Sequence, residues 1–450
     1  MTQPAATAIR GLDDVLGGGF TPRRLYLIEG DPGAGKTTLA MQFLMEGVAR
    51  GERGLYVTLS ESAEELRAVA ASHGWDLAGV DIFELAASVD SLQPDAQYTM
   101  FHPSEVELSE TTRQVLAEVE AIDPRRVVFD SLSEMRLLAQ NPLRYRRQIL
   151  ALKQFFIGRN CTVLLLDDRT SEQHDLHLQS IAHGVVSLEQ LAPEFGAERR
   201  RLRIIKMRGS RYRGGYHDFK ITRGGLEVYP RLVASEHQHA FPDESISSGI
   251  REVDELLGGG LGRGTSALLM GTAGSGKSTL AMQYALAAAA RGEHVAFFTF
   301  DESLNTLRSR AAGLGMPLAK HLESGMITVQ QIDPAELSPG EFAATVRAAA
   351  DGEGDRRARI VVIDRPQRLS QRDARGAVPH HPVARTAHLP RAAGRGVAAA
   401  DCAARVPRHG DADAGGRELP RRHGDPATVL RDARRGAAGA VGGEEAQRLP

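Results

Sequence analysis

Short runs of β-branched and aromatic residues alternate with longer amphipathic segments along the first half of the chain. The runs RRLYLIEG, GLYVTLS, RRVVFDS and CTVLLLD are separated by segments such as TTLAMQFLMEGVAR and LRYRRQILALKQFF. This alternation of strands and helices is typical of an α/β protein with a mainly parallel sheet. Two later runs, RRLRIIKMRG and YHDFKITRGGLEVYP, predict adjacent strands that close one end of that sheet.

A long stretch of the first half of the chain occurs again in the second half. The stretch from Gly11, GLDDVLGGGFTPRRLYLIEGDPGAGKTTLAMQFL, returns as EVDELLGGGLGRGTSALLMGTAGSGKSTLAMQYAL. Lys36 then matches Lys277 and Glu61 matches Glu302, each 241 positions later. Such a repeat predicts two copies of one domain. We expect a first domain over residues 1–235, a polar linker over 236–248 and a second domain over 249–364.

The composition is that of an ordinary globular protein, and the net charge argues against nucleic acid or an anionic membrane as a partner. The chain of 450 residues is 42% hydrophobic and 25% charged, with a net charge of -2. A near-neutral chain gives no electrostatic reason to expect nucleic acid or an anionic membrane as a partner. No run approaches the roughly 18 apolar residues of a membrane span, and a leader-like amino terminus is lacking. We therefore expect a cytoplasmic protein.

Two glycine-rich segments, one in each copy, match the GxxxxGK[ST] pattern of a phosphate-binding loop. Both lie between a predicted strand and a predicted helix, which is the context that this motif requires. The glycines let backbone N–H groups point at phosphate oxygens, and the lysine neutralises the β- and γ-phosphates. The pattern predicts an ATP site in each copy. The predicted ATP contacts are Gly30, Asp31, Pro32, Gly33, Ala34, Gly35, Lys36, Thr37 and Thr38, and Gly271, Thr272, Ala273, Gly274, Ser275, Gly276, Lys277, Ser278 and Thr279.

A phosphate loop works together with an acidic residue from another strand. Asp130 closes the apolar run RRVVFD, and Asp364 closes the equivalent run RIVVID. A carboxylate in this place holds the water shell of the Mg²⁺ that accompanies the nucleotide. Thr37 and Ser278, the last residues of the two motifs, supply the hydroxyl on the other side of the metal. Mg²⁺ is therefore the predicted metal in both copies.

Carboxylates also follow the second predicted strand of each copy, in TLSE and TFDE. Glu61 in the first copy, and Asp301 with Glu302 in the second, are candidates to orient or deprotonate the attacking water. A helix cap is the alternative, because a serine ahead of Glu64 and Glu65 resembles a capping box. Both roles remain open from the sequence.

Two basic residues stand two positions apart in the predicted strand IIKMRGS. Lys206 and Arg208 fall on the same side of that strand, since side chains alternate along it. Solvated charges at a sheet edge are one interpretation. The other is that both residues reach the γ-phosphate of a nucleotide bound to a neighbouring subunit, as arginine fingers do.

With these motifs together, the chain resembles the KaiC-type circadian clock ATPases, a duplicated branch of the RecA-like ATPases. The two phosphate loops, TFDE, VVFDSLSEMRLLAQ and the KMRG run carry the resemblance, which covers residues from about Gly11 to Asp364. It implies tandem RecA-like domains and a hexameric ring with ATP between the subunits. It also implies ATP hydrolysis in the first domain, with serine/threonine autophosphorylation and dephosphorylation in the second. Signalling or clock proteins are the partners it implies.

The resemblance also suggests roles for the acidic and basic candidates. Glu61 matches the catalytic glutamate of the first domain, and Asp301 with Glu302 matches the acidic pair of the kinase domain. The two basic residues of the KMRG run match contacts made in trans. Ser60 departs from the family, which has a glutamate pair at this place in the first domain.

Two other functions remain as alternatives. A RecA-like DNA recombinase or helicase motor shares the ATPase core, although the near-neutral charge argues against it; ATPase activity stimulated by DNA would separate it. A non-catalytic, nucleotide-gated scaffold is suggested by Ser60 and by the altered end of the second domain. Binding of ATP without turnover by the first domain would favour the scaffold.

The chain changes character at Arg365. From there to residue 450 it has 16 arginines but no Lys, Ile, Met, Phe, Tyr, Trp or Asn. Back-translation from Pro366, read one base later, gives the peptide LNGYLNAMP. We therefore hypothesise a one-base frameshift at or near codon 365. We expect residues 365–450 to lack a native fold and the second domain to lose the later strands of its sheet.

Resequencing the gene from fresh genomic DNA across codons 355–375 tests this hypothesis. Loss of one base that restores LNGYLNAMP would show that an intact second domain continues beyond Asp364. If the present reading is confirmed, the resemblance to the family ends at Asp364, and the prediction of kinase activity would have to be withdrawn.

Overall fold

The computed structural model describes residues 3–85, 103–139, 141–169, 176–193, 196–233, 243–352 and 357–364, and the backbone of 396–402. The first half begins with one short helix and then alternates strands and helices as expected. Its elements are α1 (Leu12–Leu16), β1 (Leu25–Gly30), α2 (Lys36–Ala49), β2 (Gly54–Thr58), α3 (Ala63–Ser72), β3 (Val80–Glu84), α4 (Pro103–Ile122), β4 (Arg126–Asp130), α5 (Leu132–Ala139), α6 (Pro142–Phe156), β5 (Thr162–Asp168), α7 (Leu176–Ile181), β6 (Gly184–Leu191), β7 (Arg199–Met207), β8 (His217–Thr222) and β9 (Gly225–Tyr229).

The nine strands form one sheet in the order β3-β2-β4-β5-β1-β6-β7-β8-β9. Strands β1 to β6 run parallel, and β7, β8 and β9 add antiparallel pairings at one end. The central strands are apolar on both faces, as buried parallel strands are. One face packs against residues of α1, α2 and α3, and the other packs against residues of α4, α5 and α6. The predicted fold class, α/β with mainly parallel sheets, is confirmed.

The second half repeats the strand order of the first on a smaller scale. Its five-stranded sheet has the order β14-β13-β15-β16-β12, which matches β3-β2-β4-β5-β1. The two-stranded sheet of β10 and β11 precedes it. The elements are β10 (Ser245–Ile246), α8 (Arg251–Leu256), β11 (Leu261–Gly262), β12 (Ser266–Gly271), α9 (Lys277–Ala290), β13 (Val295–Thr299), α10 (Leu304–Gly313), α11 (Leu318–Glu323), β14 (Ile327–Gln331), α12 (Pro339–Asp351), β15 (Ile360–Asp364) and β16 (Gly396–Cys402).

Strand β16 corrects one sequence-based expectation. The segment after residue 365 was expected to contribute no strand, yet residues 396–402 pair in parallel with both β12 and β15. They take the place that β5 has in the first sheet. The run GVAAADC is short and begins with five small apolar residues, which suits a slot between two strands that otherwise have open edges. The remaining residues of the predicted tail, 365–395 and 403–450, lie outside the described residues, as does most of the linker, 234–242.

The two sheets differ in what covers their phosphate-loop strand. In the first sheet β1 lies between β5 and β6 and is buried throughout. In the second, the described residues include no strand equivalent to β6, and β12 is largely accessible, with Met270 75% exposed. No helix in the described part of the chain has the length and apolar character needed to cross a bilayer.

A buried arginine fixes helix α2 against strand β4. The guanidinium of Arg126 is 1% exposed and donates to the carbonyl oxygens of Ala6 and Phe43, each at 2.7 Å, and to Glu52 at 2.5 Å. Its charge also lies 4.6 Å from the centre of the Phe43 ring. Gly47 of α2 leaves room for this side chain. Because α2 starts at the phosphate loop and β4 ends at Asp130, this contact sets the position of one against the other.

We expect Gly47→Ala to lower the free energy of unfolding of the first domain by about 1 to 3 kcal/mol, as overpacking does. A Cβ at Gly47 would come within 2.6 Å of Arg126 Cδ. Denaturant unfolding followed by the fluorescence of Trp75, the only tryptophan of the chain, measures this. Gly214→Ala is the matched control, because a Cβ there meets nothing within 4 Å. Equal stability of the two variants would contradict the anchoring role of Arg126.

Candidate functional site

The first phosphate loop lies in the turn between β1 and α2. Gly30 ends the strand, residues 31–35 form the turn, and the helix begins at Lys36. Gly33 and Gly35 adopt left-handed φ values of 78° and 98°, which glycine adopts without strain. A Cβ at Gly35 would come within 2.7 Å of Ile221 Cδ1. Strand β8 therefore closes over the loop. Of the predicted residues of this motif, Asp31, Pro32 and Ala34 lie in the turn, and Lys36, Thr37 and Thr38 lie in the first turn of α2.

Lys36 is folded back onto its own loop. Its Nζ donates to the carbonyl oxygens of Gly30 at 3.0 Å and Asp31 at 2.9 Å. It also lies 2.6 Å from Asp168 Oδ1, and the lysine side chain is only 8% exposed. The sequence-based interpretation did not include Asp168. The signal that could have found it is the same one that found Asp130, namely a carboxylate at the end of a buried strand.

Asp130 lies beside the hydroxyl of the loop, as predicted for a Mg²⁺ site. Thr37 Oγ1 donates to Asp130 Oδ2 at 2.9 Å, and the Tyr56 hydroxyl donates to the same oxygen. Burial raises the pKa of Asp130, and these two hydrogen bonds oppose that shift. A carboxylate and a hydroxyl oxygen side by side are suitable ligands for a hard cation such as Mg²⁺. The residues present therefore fit the predicted metal.

Glu61 follows β2 at the same edge of the sheet. Thr58 Oγ1 donates to Glu61 O at 2.7 Å and accepts from Glu61 N at 3.0 Å, which fixes the backbone there. Glu61 is exposed as a whole residue, but desolvation of its carboxyl group raises its pKa, as do the negative charges of Asp130 and Glu65. A raised pKa brings a carboxylate closer to the range that suits a general base at neutral pH.

The helix-cap interpretation is also correct, with Ser62 as the serine and Glu65 as its acidic partner. Ser62 is the N-cap of α3: its Oγ accepts from Glu65 N at 3.2 Å, and Glu65 Oε2 accepts from Ser62 N at 2.8 Å. These two bonds complete the capping box. The carboxylate of Glu61 takes no part in it, so capping does not compete with a role in catalysis.

The second phosphate loop has the same path but a more open setting. Gly271 ends β12 and α9 begins at Lys277, with Thr272, Ala273, Gly274, Ser275 and Gly276 in the turn and Ser278 and Thr279 in the first turn of the helix. Lys277 Nζ donates to Gly271 O at 2.9 Å and Thr272 O at 2.7 Å. A Cβ at Gly274 or Gly276 meets nothing within 4 Å. The strands that cover the first loop have no described counterpart here.

The acidic candidates of the second site lie at the expected strand ends. Asp364 ends β15 and is 2% exposed, and its neighbour across the ladder is Thr299. Asp301 is exposed. Glu302 forms a two-pronged ion pair with Arg310, with Nη2 to Oε2 at 2.7 Å and Nε to Oε1 at 3.0 Å. Both oxygens of this carboxylate are thus occupied, whereas no ion pair in the described chain involves Glu61.

Lys206, near the end of the interior strand β7, and Arg208, just after that strand, both reach α7 but lie far from the loop of their own domain. Lys206 Nζ donates to Gln179 O, and Arg208 Nη2 donates to Ser180 O at 2.9 Å. Burial, then the charges of Arg208 and Lys153, lower the pKa of Lys206.

Backbone hydrogen bonds show at which end of the sheet Lys206 and Arg208 lie. Arg208 N donates to His183 O, and His183 N donates to Leu25 O at the start of β1. Gly30 lies at the other end of that strand, which places it roughly 15 Å away at the usual rise of a strand. The structure therefore does not bring these two basic residues to the phosphate loop of the same domain.

Comparison with known families identifies the class of this site. The family model described as ATPase: KaiC matches residues 5–233 and 246–373. The chain belongs to the KaiC ATPase family. The two KaiC matches correspond to the two halves of the chain, each with its own phosphate loop, so the tandem RecA-like organisation is confirmed.

Several curated relatives of the KaiC family resemble the chain over most of its length. It is 29% identical over 340 residues to the circadian clock protein KaiC2 of Synechocystis, covering 74% of this chain and 58% of the relative. It is 28% identical over 332 residues to the circadian clock oscillator protein KaiC of Parathermosynechococcus lividus, with 72% and 60% covered. For the Synechococcus elongatus protein of that name the values are 29% over 319 residues, 69% and 60%. The chain thus matches about three fifths of the length of these relatives.

Proposed function

We propose that the chain is a Mg²⁺-dependent ATPase that hydrolyses ATP in its first domain. The observation that carries this proposal is the hydrogen bond of 2.9 Å from Thr37 to Asp130 beside the loop lysine. It joins the loop hydroxyl to the strand-end carboxylate, which are the two protein oxygens expected to hold Mg²⁺ in a phosphate-loop ATPase. The left-handed glycines of the loop and the start of α2 provide backbone N–H groups for the phosphates.

Each residue of the first site then has a task in hydrolysis. Lys36 neutralises charge on the β- and γ-phosphates. Thr37 and Asp130 would hold Mg²⁺, which when bound would offset the negative charge on the transferred phosphoryl group. Glu61 orients the attacking water and takes its proton. The positions of Glu61 and Asp130 at neighbouring strand ends, β2 and β4, support this division of roles.

We further propose that the active assembly is a ring, a hexamer by resemblance to the family, in which Lys206 and Arg208 act on the nucleotide of the adjacent subunit. Their distance from the phosphate loop of their own domain supports this role. Only a second copy, arranged head to tail, can bring them to a γ-phosphate. In one isolated copy both side chains bind carbonyl oxygens that follow each other in α7.

For the second domain we propose serine/threonine autophosphorylation, with Asp301 and Glu302 as its acidic pair and with Ser278 and Asp364 at Mg²⁺. The family assignment and the repeated loop support this part. The phosphoacceptors fall, by resemblance, beyond residue 364, outside the described residues, so the kinase depends on the reading frame there. Regulation of signalling or clock proteins by the ring is the corresponding cellular role, and the names of the relatives support it.

We expect Glu61→Gln to lower ATP turnover without affecting stability, and Ser62→Ala to lower stability without affecting turnover. Glu61→Gln removes the base, so ATP turnover by the full chain with Lys277→Ala falls about 10²- to 10⁴-fold. Its stability is unchanged, because a carboxylate of raised pKa loses nothing when it becomes neutral. Ser62→Ala costs about 1 kcal/mol of stability through the lost cap and leaves turnover in place. Phosphate release and unfolding followed by Trp75 fluorescence measure the two effects.

The same assay separates the rival functions. ATP binding without turnover in the parent protein would contradict the ATPase and favour a scaffold. Turnover that rises when DNA is added would favour a nucleic-acid motor.

Mixing two inactive variants tests the proposed action between subunits. Lys36→Ala and Arg208→Ala chains, both carrying Lys277→Ala, are each expected to be inactive alone. In a co-expressed ring one interface in about four joins an intact loop to an intact arginine, so about a quarter of the parental turnover returns. A mixture that stays as inactive as its components would contradict action in trans. Mixing either variant with a second batch of itself is the control.

A further inference from the structure

Asp168 lies at the centre of the first site without a part in the chemistry described above. It is the last residue of β5, and in the parallel ladder it stands beside Gly30, the first residue of the phosphate loop. The chain after it is also fixed to β1, because Arg169 N donates to Gly30 O at 3.2 Å and Arg169 Nη2 lies 2.7 Å from Glu29 Oε1. Two strands therefore determine where the carboxylate of Asp168 lies.

Both oxygens of Asp168 have partners within the site. Oδ1 is 2.6 Å from Lys36 Nζ, and Oδ2 accepts from Ser133 Oγ at 3.2 Å. Lys36 has three donors, and its three partners are Asp168 and the carbonyl oxygens of Gly30 and Asp31. The lysine must release some of these bonds to reach a phosphate, and Asp168 is the charged one of the three.

The described side chains of the second copy include no such pair. Strand β16 takes the place of β5, and the residue beside Gly271 in its ladder is Cys402. The described partners of Lys277 Nζ are the carbonyl oxygens of Gly271 and Thr272 and, at 3.4 Å, the hydroxyl of Ser275. One chain thus has a loop lysine paired with a carboxylate and a loop lysine with neutral partners.

Removing Lys36 from Asp168 leaves negative charges facing one another. Asp168 is close enough to Asp130 for its charge to act on that carboxyl group. A triphosphate without metal adds further negative charge at the same place, and the lysine that moves onto it no longer neutralises Asp168. A divalent cation between these groups offsets the repulsion, since unlike charges stabilise one another strongly where water is scarce.

We propose that Asp168 is a positioning residue that holds Lys36 until a nucleotide enters together with its Mg²⁺, so that the first site selects metal-bound over metal-free nucleotide. This inference depends on the proposed ATP site of the first domain. It assigns to Asp168 a step before hydrolysis, the exchange of the lysine between a carboxylate and a phosphate. The carboxylate itself does not contact the reacting atoms.

Nucleotide binding measured with and without metal tests this role. The full chain carrying Lys277→Ala is titrated with a fluorescent, non-hydrolysable ATP analogue, once with saturating Mg²⁺ and once with EDTA. The readout is the dissociation constant measured in EDTA divided by the dissociation constant measured with Mg²⁺. We expect Asp168→Asn to lower this ratio about tenfold, within the range usual for coupling between two ligands, by tightening the metal-free binding.

Further variants separate charge from structure. Asp168→Cys, which carries the residue found at this ladder position in the second copy, should act like Asp168→Asn and serves if that variant does not fold. Asp168→Glu restores the charge and should recover most of the parental ratio. Asp81→Asn is the matched control, because Asp81 also pairs with a basic side chain, Arg53 at 3.1 Å, but on the edge strand β3. It should leave the ratio unchanged.

The outcomes distinguish this inference from the proposed function. A parent protein that binds the analogue in neither condition contradicts the ATP site itself. A parent that binds the analogue, with neutral Asp168 variants that keep the parental ratio, contradicts the positioning role alone. A ratio that falls equally in Asp81→Asn would show an effect of net charge and would also overturn the proposal.

Discussion

The register of parallel strands is the constraint on which both sites depend. In a parallel sheet the carboxyl ends of all strands lie at one edge, so a residue that ends one strand is beside the residue that ends the next. Thr58 is thereby level with Asp130, and Gly30 is level with Asp168, although these residues are far apart in the chain. Arg126 then holds α2 against β4. The pairing of the strands thus brings the phosphate loop, Asp130, Glu61 and Asp168 to one edge of the sheet.

The same constraint explains why the second site is a reduced version of the first. Strands β12, β13 and β15 preserve the register, so the second loop and Asp364 lie at corresponding strand ends. What differs is the cover. Leu188 and Ile221, on β6 and β8, lie within contact range of the first loop, and the described part of the second domain has no equivalent of these strands. The loop motif is therefore present in both copies, but among the described residues only the first loop is covered by neighbouring strands.

The sequence predicts the parts of each site that are local. A strand, a glycine turn and a helix are adjacent in the chain, so the loops and their lysines could be read directly, and so could the carboxylates that close apolar runs. Asp168 also closes an apolar run, but its pairing with Lys36, like that of Arg310 with Glu302, could not be predicted, because such partners depend on which strands and helices become neighbours. The capping box was visible, but only the structure shows that it uses Ser62 and Glu65 and leaves Glu61 available. Strand β16 was missed because a run of alanines has weak β-propensity, and pairing on both sides overrides that preference.

Two copies with nearly the same loop can therefore differ in chemistry through the residues at the ends of neighbouring strands. In the first copy Lys36 faces a carboxylate, and Glu61 makes no ion pair within the described chain. In the second copy Lys277 has neutral partners, and Glu302 is held by Arg310. Under the proposed function, the first arrangement keeps Glu61 available for water and pairs the lysine with Asp168, whereas the second pairs Glu302 with Arg310 and leaves the lysine accessible. Divergence at strand ends changes the electrostatics of a site without altering the backbone that binds phosphate, and it lets one duplicated fold support two different nucleotide sites.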